Sequence, residues 1–446
     1  MTNKFNYFLE VFKICYRIEK LPEVVYGDSL SGKIFIRQSV ANNFFTDNIE
    51  INPRTIIWKE WKGRSIPFLF DSTENEIISI NNNCVIINFD IIASGFYLLS
   101  GYQELDKSKR DSLGRFAYYE SIQHKLGIIT IPVVNYYFDI LKTSIEKVSG
   151  ISIASRFSDN NDFSVCLTHD VDNCENGWLE GSAWAVKNGK YLAPLDLLYQ
   201  KFIKRKDNWF NFDILLDIEK QLDAKSSFYF LCKKGKYLGK ANADYNIADK
   251  RFQEVFEEIK EAGSEIGIHG SFGTHNNKDL LEADIKKLNQ NVSGGRFHFL
   301  EFEVESTPQV IEQAGLKYDT SLCFAEHIGF RNSCCTPFLL YDFSEDEPTS
   351  VLEIPLNLMD GTLSGKKYMN LTPDTSIEVV NCLIDEIRKF NGVFTILWHN
   401  TYYSDYKYGG WRIIIKKILQ ICKNENAVIT SAENIMNMAL NKFNET

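Results

Sequence analysis

An α/β fold, a parallel sheet or barrel preceded by a smaller α+β unit, is what the sequence predicts, and three observations carry it. From residue 163 onward, strand-like apolar runs and helical periods follow one another in strict turn, the pattern of strands joined by crossover helices. Before that, one helical period is followed by short strand-like runs separated by Asn, Asp, Gly and Pro, as in a mixed unit. Between the two lies the polar stretch SRFSDNNDFS at 155–164. The expected division is an α+β domain of unknown role over 1–154 and a (β/α) domain over 160–446.

In the first part, Phe5, Phe8, Leu9, Phe12 and Cys15 recur at helical spacing. Strand-like runs follow at 33–38, 55–58, 67–70 and 84–88, and the helical period returns over 89–103 and 134–147. In the second part the strands FSVCLT, FYFLC, EIGIH, LEIP, VFTILWH and AVIT alternate with helices near 211–222, 248–262, 277–290, 375–390 and 411–424.

Composition bounds the function. The chain has 446 residues, 44% apolar and 24% charged, with 32 Phe, 21 Tyr and 7 Trp, enough to bury a core and to exclude disorder over most of its length. Its 49 Lys and Arg against 59 Asp and Glu give a net charge of −10. Such a charge repels phosphate backbones and anionic membranes unless a local basic patch compensates, and the sequence reading finds no such patch. No nucleic-acid partner is expected. The ten Cys are scattered without C-x-x-C spacing, which fits reduced thiols better than a disulfide framework. The segment MTNKFNYFLEVFKICYRIEK has charges within its apolar stretch and no small-residue cleavage site, unlike a signal peptide. Without a run of about 18 apolar residues, the expectation is a cytoplasmic chain with no integral membrane span.

In parallel α/β folds the loops after the carboxyl ends of the strands converge on one face, and chemistry sits there. Here the first strand of the second part ends in Thr168-His169-Asp170-Val171-Asp172, the third in His269-Gly270-Ser271, and VFTILWH in His399-Asn400. Two Asp one residue apart point the same way if the strand continues, or share a turn if it does not; either lets one bind a cation while the other handles a proton. A carboxylate with imidazoles is a donor set suited to zinc or another divalent transition metal.

The segments LTHDVD, EIGIHGS, GRFHFLEF, YDTSL and ILWHN, in this order and spacing, resemble the five motifs of the polysaccharide deacetylase family, the NodB-homology or carbohydrate esterase family four, over about 160–435. The FDIIASGFYLLSGYQE and GRF segments resemble the uncharacterised N-terminal domain that precedes a divergent bacterial subgroup of that family. The resemblance implies a distorted (β/α) barrel with seven strands and a divalent metal, zinc with cobalt or nickel as alternatives. It also implies removal of an N-acetyl group from a sugar or glycan intermediate, in a subgroup associated with surface polysaccharide assembly. Carried over by motif, Asp170 is the catalytic base, Asp172 and His269 are metal ligands, Arg296 tethers the base, and His399 is the general acid, oriented by Asp319. A cytoplasmic chain would meet a nucleotide- or lipid-linked sugar rather than mature polymer.

One departure bears on the metal. The family's second motif usually has a second His four positions after the first, where this chain has Gly273. His298 and His275 are the available substitutes, and His298 is favoured because the third-motif loop borders the site and the subgroup has R-x-H there. As substrate contacts, Arg331 could take a carboxylate or phosphate bidentately, Asp360 a hydroxyl, and Trp411, with the tyrosines just after His399, a pyranose face. Each could equally be an ordinary ion pair or packing residue. Two other readings stay open: a catalytically inactive carbohydrate-binding or scaffolding pseudoenzyme, to which Gly273 points, and hydrolysis of another C–N (amide) bond.

Overall fold

The computed structural model describes residues 2–27, 32–39, 45, 51–71, 76–81, 84–106, 109–157 and 161–440. Residues 158–160, within the polar stretch read as a domain boundary, lie outside the described residues.

The N-terminal region begins with the helix Thr2–Cys15, which buries Tyr7, Phe8, Val11 and Phe12 on one face. Four short strands form a sheet in the order Val24–Gly27, Ile34–Arg37, Cys84–Ile87, Ile78–Asn81, the last pair antiparallel and the others parallel. A separate antiparallel hairpin joins Ile57–Trp61 and Arg64–Phe68. Helix Ile91–Leu99 is buried along its whole length, its first turn capped by Asp90 accepting from the Ala93 N–H at 2.9 Å. A Cβ on its Gly95 would stand 2.3 Å from the Phe8 ring, so the first helix packs against it at a glycine. The helical period expected to 103 stops earlier because Gly101, at φ +68°, turns the chain left-handed.

The second region is built on one curled sheet. Its strands are β1 (Phe163–Val171), β2 (Ser227–Leu231), β3 (Glu265–Gly270), β4 (Gly294–Phe297) and β5 (Tyr318–Asp319), followed by β6 (Phe338–Asp342), β7 (Glu347–Glu353), β8 (Leu356–Met359), β9 (Val393–Leu397) and β10 (Ala427–Thr430). They run β6-β7-β5-β4-β3-β2-β1-β9-β8, with β10 sharing the β2 edge of β1. All pairs are parallel except β6 with β7. Because β7 and β8 pair at opposite ends of the parallel path yet are separated only by Ile354 and Pro355, the sheet curls until its ends are one stretch of chain. β1 is buried at every residue, as a central parallel strand should be.

The period of two along β1 sorts its polar residues. Thr168 and Asp170 face the interior, where both accept from Arg296 Nη1 at 3.0 and 2.8 Å. His169 faces the helix layer instead. It donates from Nδ1 to the Trp398 carbonyl (2.7 Å) and bonds Glu219 of helix Phe212–Gln221 through Nε2 (2.8 Å), a buried packing role.

The two regions share a continuous core. Segment 329–336 is gripped by the N-terminal region: Phe330 N–H donates to the Ile129 carbonyl (2.8 Å), Val134 N–H to Ser333 (2.9 Å), and Asn135 Oδ1 accepts from Cys335 N–H (2.8 Å). Gly329, at φ +131°, is required here, since a Cβ would lie 2.3 Å from the Ile129 carbonyl oxygen. All ten cysteines are free. No helix among the described residues is long and apolar enough to cross a membrane.

Candidate metal centre and active site

Parallel strands bring their carboxyl ends to one rim. Asp170 and Asp172 come from the end of β1, and His269 from β3, in register with Arg296 of β4. His298 opens the turn after β4, and His399 follows β9. Within that turn Phe299 and Leu300 both take positive φ, 60° and 58°, a strained conformation for residues with side chains. The N-terminal region braces it. Arg115, gripped by Asp111 at 2.8 and 2.7 Å, donates from Nη1 to the Phe299 carbonyl at 3.0 Å.

Three donor atoms form a compact triangle: His269 Nε2 to His298 Nδ1 3.2 Å, His269 Nε2 to Asp172 Oδ1 3.3 Å, and His298 Nδ1 to Asp172 Oδ1 3.5 Å. Each imidazole is fixed from behind, His269 Nδ1 donating to the Arg296 carbonyl (2.8 Å) and His298 Nε2 to the Ala241 carbonyl (3.1 Å). With both outer nitrogens donating to carbonyls, the neutral rings turn a lone pair into the triangle from each inner nitrogen, an arrangement that a shared cation would satisfy. Asp172 Oδ1 is buried and accepts no hydrogen bond. Donors 2.0–2.1 Å from a tetrahedral zinc ion stand about 3.4 Å apart, so the triangle has the right size for one. Among the described residues these three are the one group of His, Cys, Asp and Glu close enough to hold a metal.

The electrostatics agree. Burial opposes the Asp172 charge, but the facing His298, His269 and His399 hold its carboxyl well below the usual range. Burial pushes His298 down to about 4 against the pull of Asp172, which keeps it neutral and able to ligate. His269 moves upward although burial resists it, because Asp170 and Asp172 flank it.

Asp170 and His399 stand on either side. Asp170 accepts from Arg296 at Oδ1, while its Oδ2 lies 3.7 Å from His269 Nε2. Arg296 is itself buried and anchored by Nε to the Thr320 carbonyl at 2.8 Å. His399 Nε2 lies 3.7 Å from Asp172 Oδ2, and its Nδ1 meets Asp360 Oδ1 at 2.7 Å. Burial opposes its charge, yet Asp360, with Asp172 and Asp170 behind it, raises the imidazole to about 10.

Four expected contacts fall elsewhere. Asp319 does not touch His399; its carboxylate accepts from Ser321 N–H (2.8 Å) and Oγ (2.9 Å) and pairs with Glu353, and the orienting contact belongs to Asp360. Asp360 is therefore fully buried behind His399 rather than open to a hydroxyl. Arg331, 2% exposed, holds Glu104 bidentately through Nε (3.0 Å) and Nη2 (2.6 Å) and cannot reach a substrate. Trp411 is packed at 6.1 Å against both Trp398 and Tyr402, in the core. His275 lies outside the triangle, 3.4 Å from Glu301 and 3.7 Å from Glu303.

A cavity of about 360 Å³ opens over the site, with Asp172 and His399 in its floor and Trp209, Tyr402, Tyr408 and Lys407 in its wall. Tyr402 and Tyr408 stack at 4.0 Å. Trp209 escapes a sequence reading because it sits in the loop before a helix, with no motif around it. Only its aromatic neighbours in NWFNF mark the segment.

Residues 1–149 match the model of a family of unknown function, DUF7033. No curated protein matches the chain. Among solved structures the chain is similar to a putative polysaccharide deacetylase from Mycobacterium smegmatis, at 17% identity and a TM-score of 0.42, over 63% of this chain and 91% of that one. It is similar to a probable polysaccharide deacetylase from Pseudomonas aeruginosa PAO1, at 12% identity and a TM-score of 0.42, over 64% and 93%. It is also similar to a carbohydrate esterase family four pseudoenzyme from Bacillus anthracis, at 13% identity and a TM-score of 0.28, over 63% and 67%. These likenesses are distant, and the chemistry below follows from the side chains of this chain.

Proposed function

We propose that this chain is a metal-dependent hydrolase that removes an N-acetyl group from a sugar or glycan intermediate, in the assembly of a surface polysaccharide. The observation that carries the reading is the triangle of His269, His298 and Asp172, with an anchored carboxylate on one side and a carboxylate-backed imidazole on the other. On this reading residues 160–446 form a distorted (β/α)7 barrel of the polysaccharide deacetylase type, β7 and β8 counting as one bent strand, and residues 1–154 an α+β domain of unknown role that packs against it through the shared core.

Asp172, His269 and His298 would hold the metal, zinc by donor spacing, with cobalt or nickel accepting the same donors. The bound ion would supply Lewis-acid polarisation of the acyl oxygen and acidification of a water. Arg296 holds Asp170 by Oδ1 and leaves Oδ2 facing the triangle, placed to take a proton from the attacking water. His399, kept protonated by Asp360, is placed to give a proton to the departing nitrogen. The cavity wall of Trp209, Tyr402 and Tyr408 offers aromatic surface for a sugar ring.

Acetate release from N-acetylglucosamine oligomers, beside a panel of simple amides, tests the reading. Wild-type protein is expected to release acetate from the sugars. Asp170→Asn is expected to lower turnover by about 100-fold or more with metal content unchanged. Undiminished turnover in Asp170→Asn would remove Asp170 as the base, and cleavage of the simple amides alone would overturn the sugar substrate.

A further inference from the structure

The alternation of strand and helix is interrupted after β1 by two helices, Gly177–Lys187 and Ala193–Phe202, that form a hairpin on the rim beside the catalytic cavity. An amphipathic helix normally turns its apolar stripe to the core. In Ala193–Phe202 the stripe Leu195, Leu198, Tyr199, Phe202, spaced i, i+3, i+4, i+7, faces solvent, and Leu197 is the helix's buried residue. The turn and the following residue extend it: Tyr191 is 72% exposed, Leu192 80% and Ile203 69%. Nine of the sixteen large apolar side chains exposed among the described residues lie between 179 and 203, which makes one patch rather than scattered exceptions.

The rim of the patch is cationic. Between 187 and 206 there are six Lys and Arg and one carboxylate, Asp196, in a chain whose net charge is −10. Lys201 is bonded to Asp207 at 3.2 Å, but Lys187, Lys190, Lys204, Arg205 and Lys206 are exposed. Two of them lie over aromatic rings, Lys190 at 4.9 Å from the Trp184 centroid and Lys204 at 5.4 Å from Tyr199. This is the basic patch that the sequence reading did not find, although KFIKRK at 201–206 carries most of it in plain sequence.

We propose that this hairpin docks the protein on an anionic phospholipid bilayer, its apolar stripe entering the headgroup boundary and its lysines meeting lipid phosphates. Long cationic stems with aromatic rings around an apolar stripe suit the boundary between headgroups and acyl chains. A second copy of this chain suits it less, since a twofold contact would set the basic rim against itself. The helix Gly177–Lys187 and the residue before it also supply Glu180 and Asn176 to the catalytic cavity, so docking would set the cavity mouth at the headgroup layer. The proposal concerns this surface alone and goes beyond the reaction proposed above.

Co-sedimentation of the full chain with phosphatidylcholine vesicles, with and without phosphatidylglycerol, tests it without any substrate. The protein is expected to pellet with the anionic vesicles and to be released by salt. Leu192→Glu, Leu195→Glu and Phe202→Glu combined are expected to abolish binding while leaving the melting temperature unchanged, since all three side chains are exposed. Each of Lys187→Ala, Lys190→Ala and Lys204→Ala is expected to weaken binding by about five-fold. Wild-type protein left in the supernatant with anionic vesicles, or a triple variant that binds as well as wild type, would overturn the proposal. So would a light-scattering dimer that the triple variant dissociates while vesicles bind neither, which would give the face to a second copy.

Discussion

Two buried clusters of charged side chains lie close to the rim of this sheet, and they differ. In the pair that joins the two regions, Arg331 gives Nε and Nη2 to Glu104 and Nη1 to the Cys323 carbonyl at 3.1 Å, so its donors meet acceptors. In the cluster of Asp172, His269 and His298, the outer ring nitrogens are taken up by carbonyls, the inner ones face each other at 3.2 Å, and the buried Asp172 Oδ1 accepts no hydrogen bond. Arg331 and Glu104 are fully buried, whereas Asp172 keeps a fifth of its side chain exposed. Unsatisfied valence, directed at one point, is what separates a site from a structural ion pair.

That contrast predicts opposite consequences for mutation. The largest effect on activity is expected from Asp172→Ala, which removes one corner of the proposed metal triangle and should lower turnover by about 1,000-fold, several kcal/mol of transition-state stabilisation, in an acetate-release assay. Glu104→Ala leaves Arg331 buried without its partner and should lower stability by about 3–5 kcal/mol in urea unfolding, with metal affinity per folded molecule unchanged. An intermediate loss is expected for Asp360→Asn, about 100-fold in turnover, because His399 loses the carboxylate that holds its Nδ1 proton while the triangle keeps its three donors. Arg115→Ala should weaken metal affinity by about 10-fold, read by chelator competition, since it frees the strained turn that carries His298.

The smallest effect concerns pH. Glu265, at the opposite end of β3 from His269, has its carboxyl pushed from 4.5 up to about 7 by burial, although Ser227, Tyr318 and the Glu433 N–H pull the other way. The folded protein thus binds this proton more tightly than the unfolded chain does. Its contribution to stability is full below the unfolded value and is lost as pH rises through about 7. Glu265→Gln is expected to flatten the melting temperature between those values, and an unchanged slope would place the pH dependence elsewhere.

Much of the site could be read before the structure because its members lie at strand ends, where local pattern and position coincide: Asp170 and Asp172 after FSVCLT, His269 after EIGI, His399 after VFTILW. The turn that brings His298 to Asp172 and His269 contains two residues at positive φ, which no local pattern announces. Arg331 illustrates the limit. Its partner is 227 residues away, so nothing in FAEHIGFR distinguishes a buried tie from a substrate contact. Asp319 and Asp360 both follow or end strands, and only the pairing of β8 with β9 sets Asp360 beside His399. The hairpin 177–202 was illegible for a different reason, since an apolar stripe at helical spacing reads as core until its exposure is known.

Metal content measured by elemental analysis, on protein purified without chelator or affinity metal, tests the central claim most directly. The account predicts close to one divalent ion per chain, lost in His269→Ala and in His298→Ala and retained in His275→Ala. Metal retained in His298→Ala but lost in His275→Ala would contradict the triangle, and a wild-type chain that stays empty after incubation with zinc, cobalt or nickel would contradict the metal centre altogether.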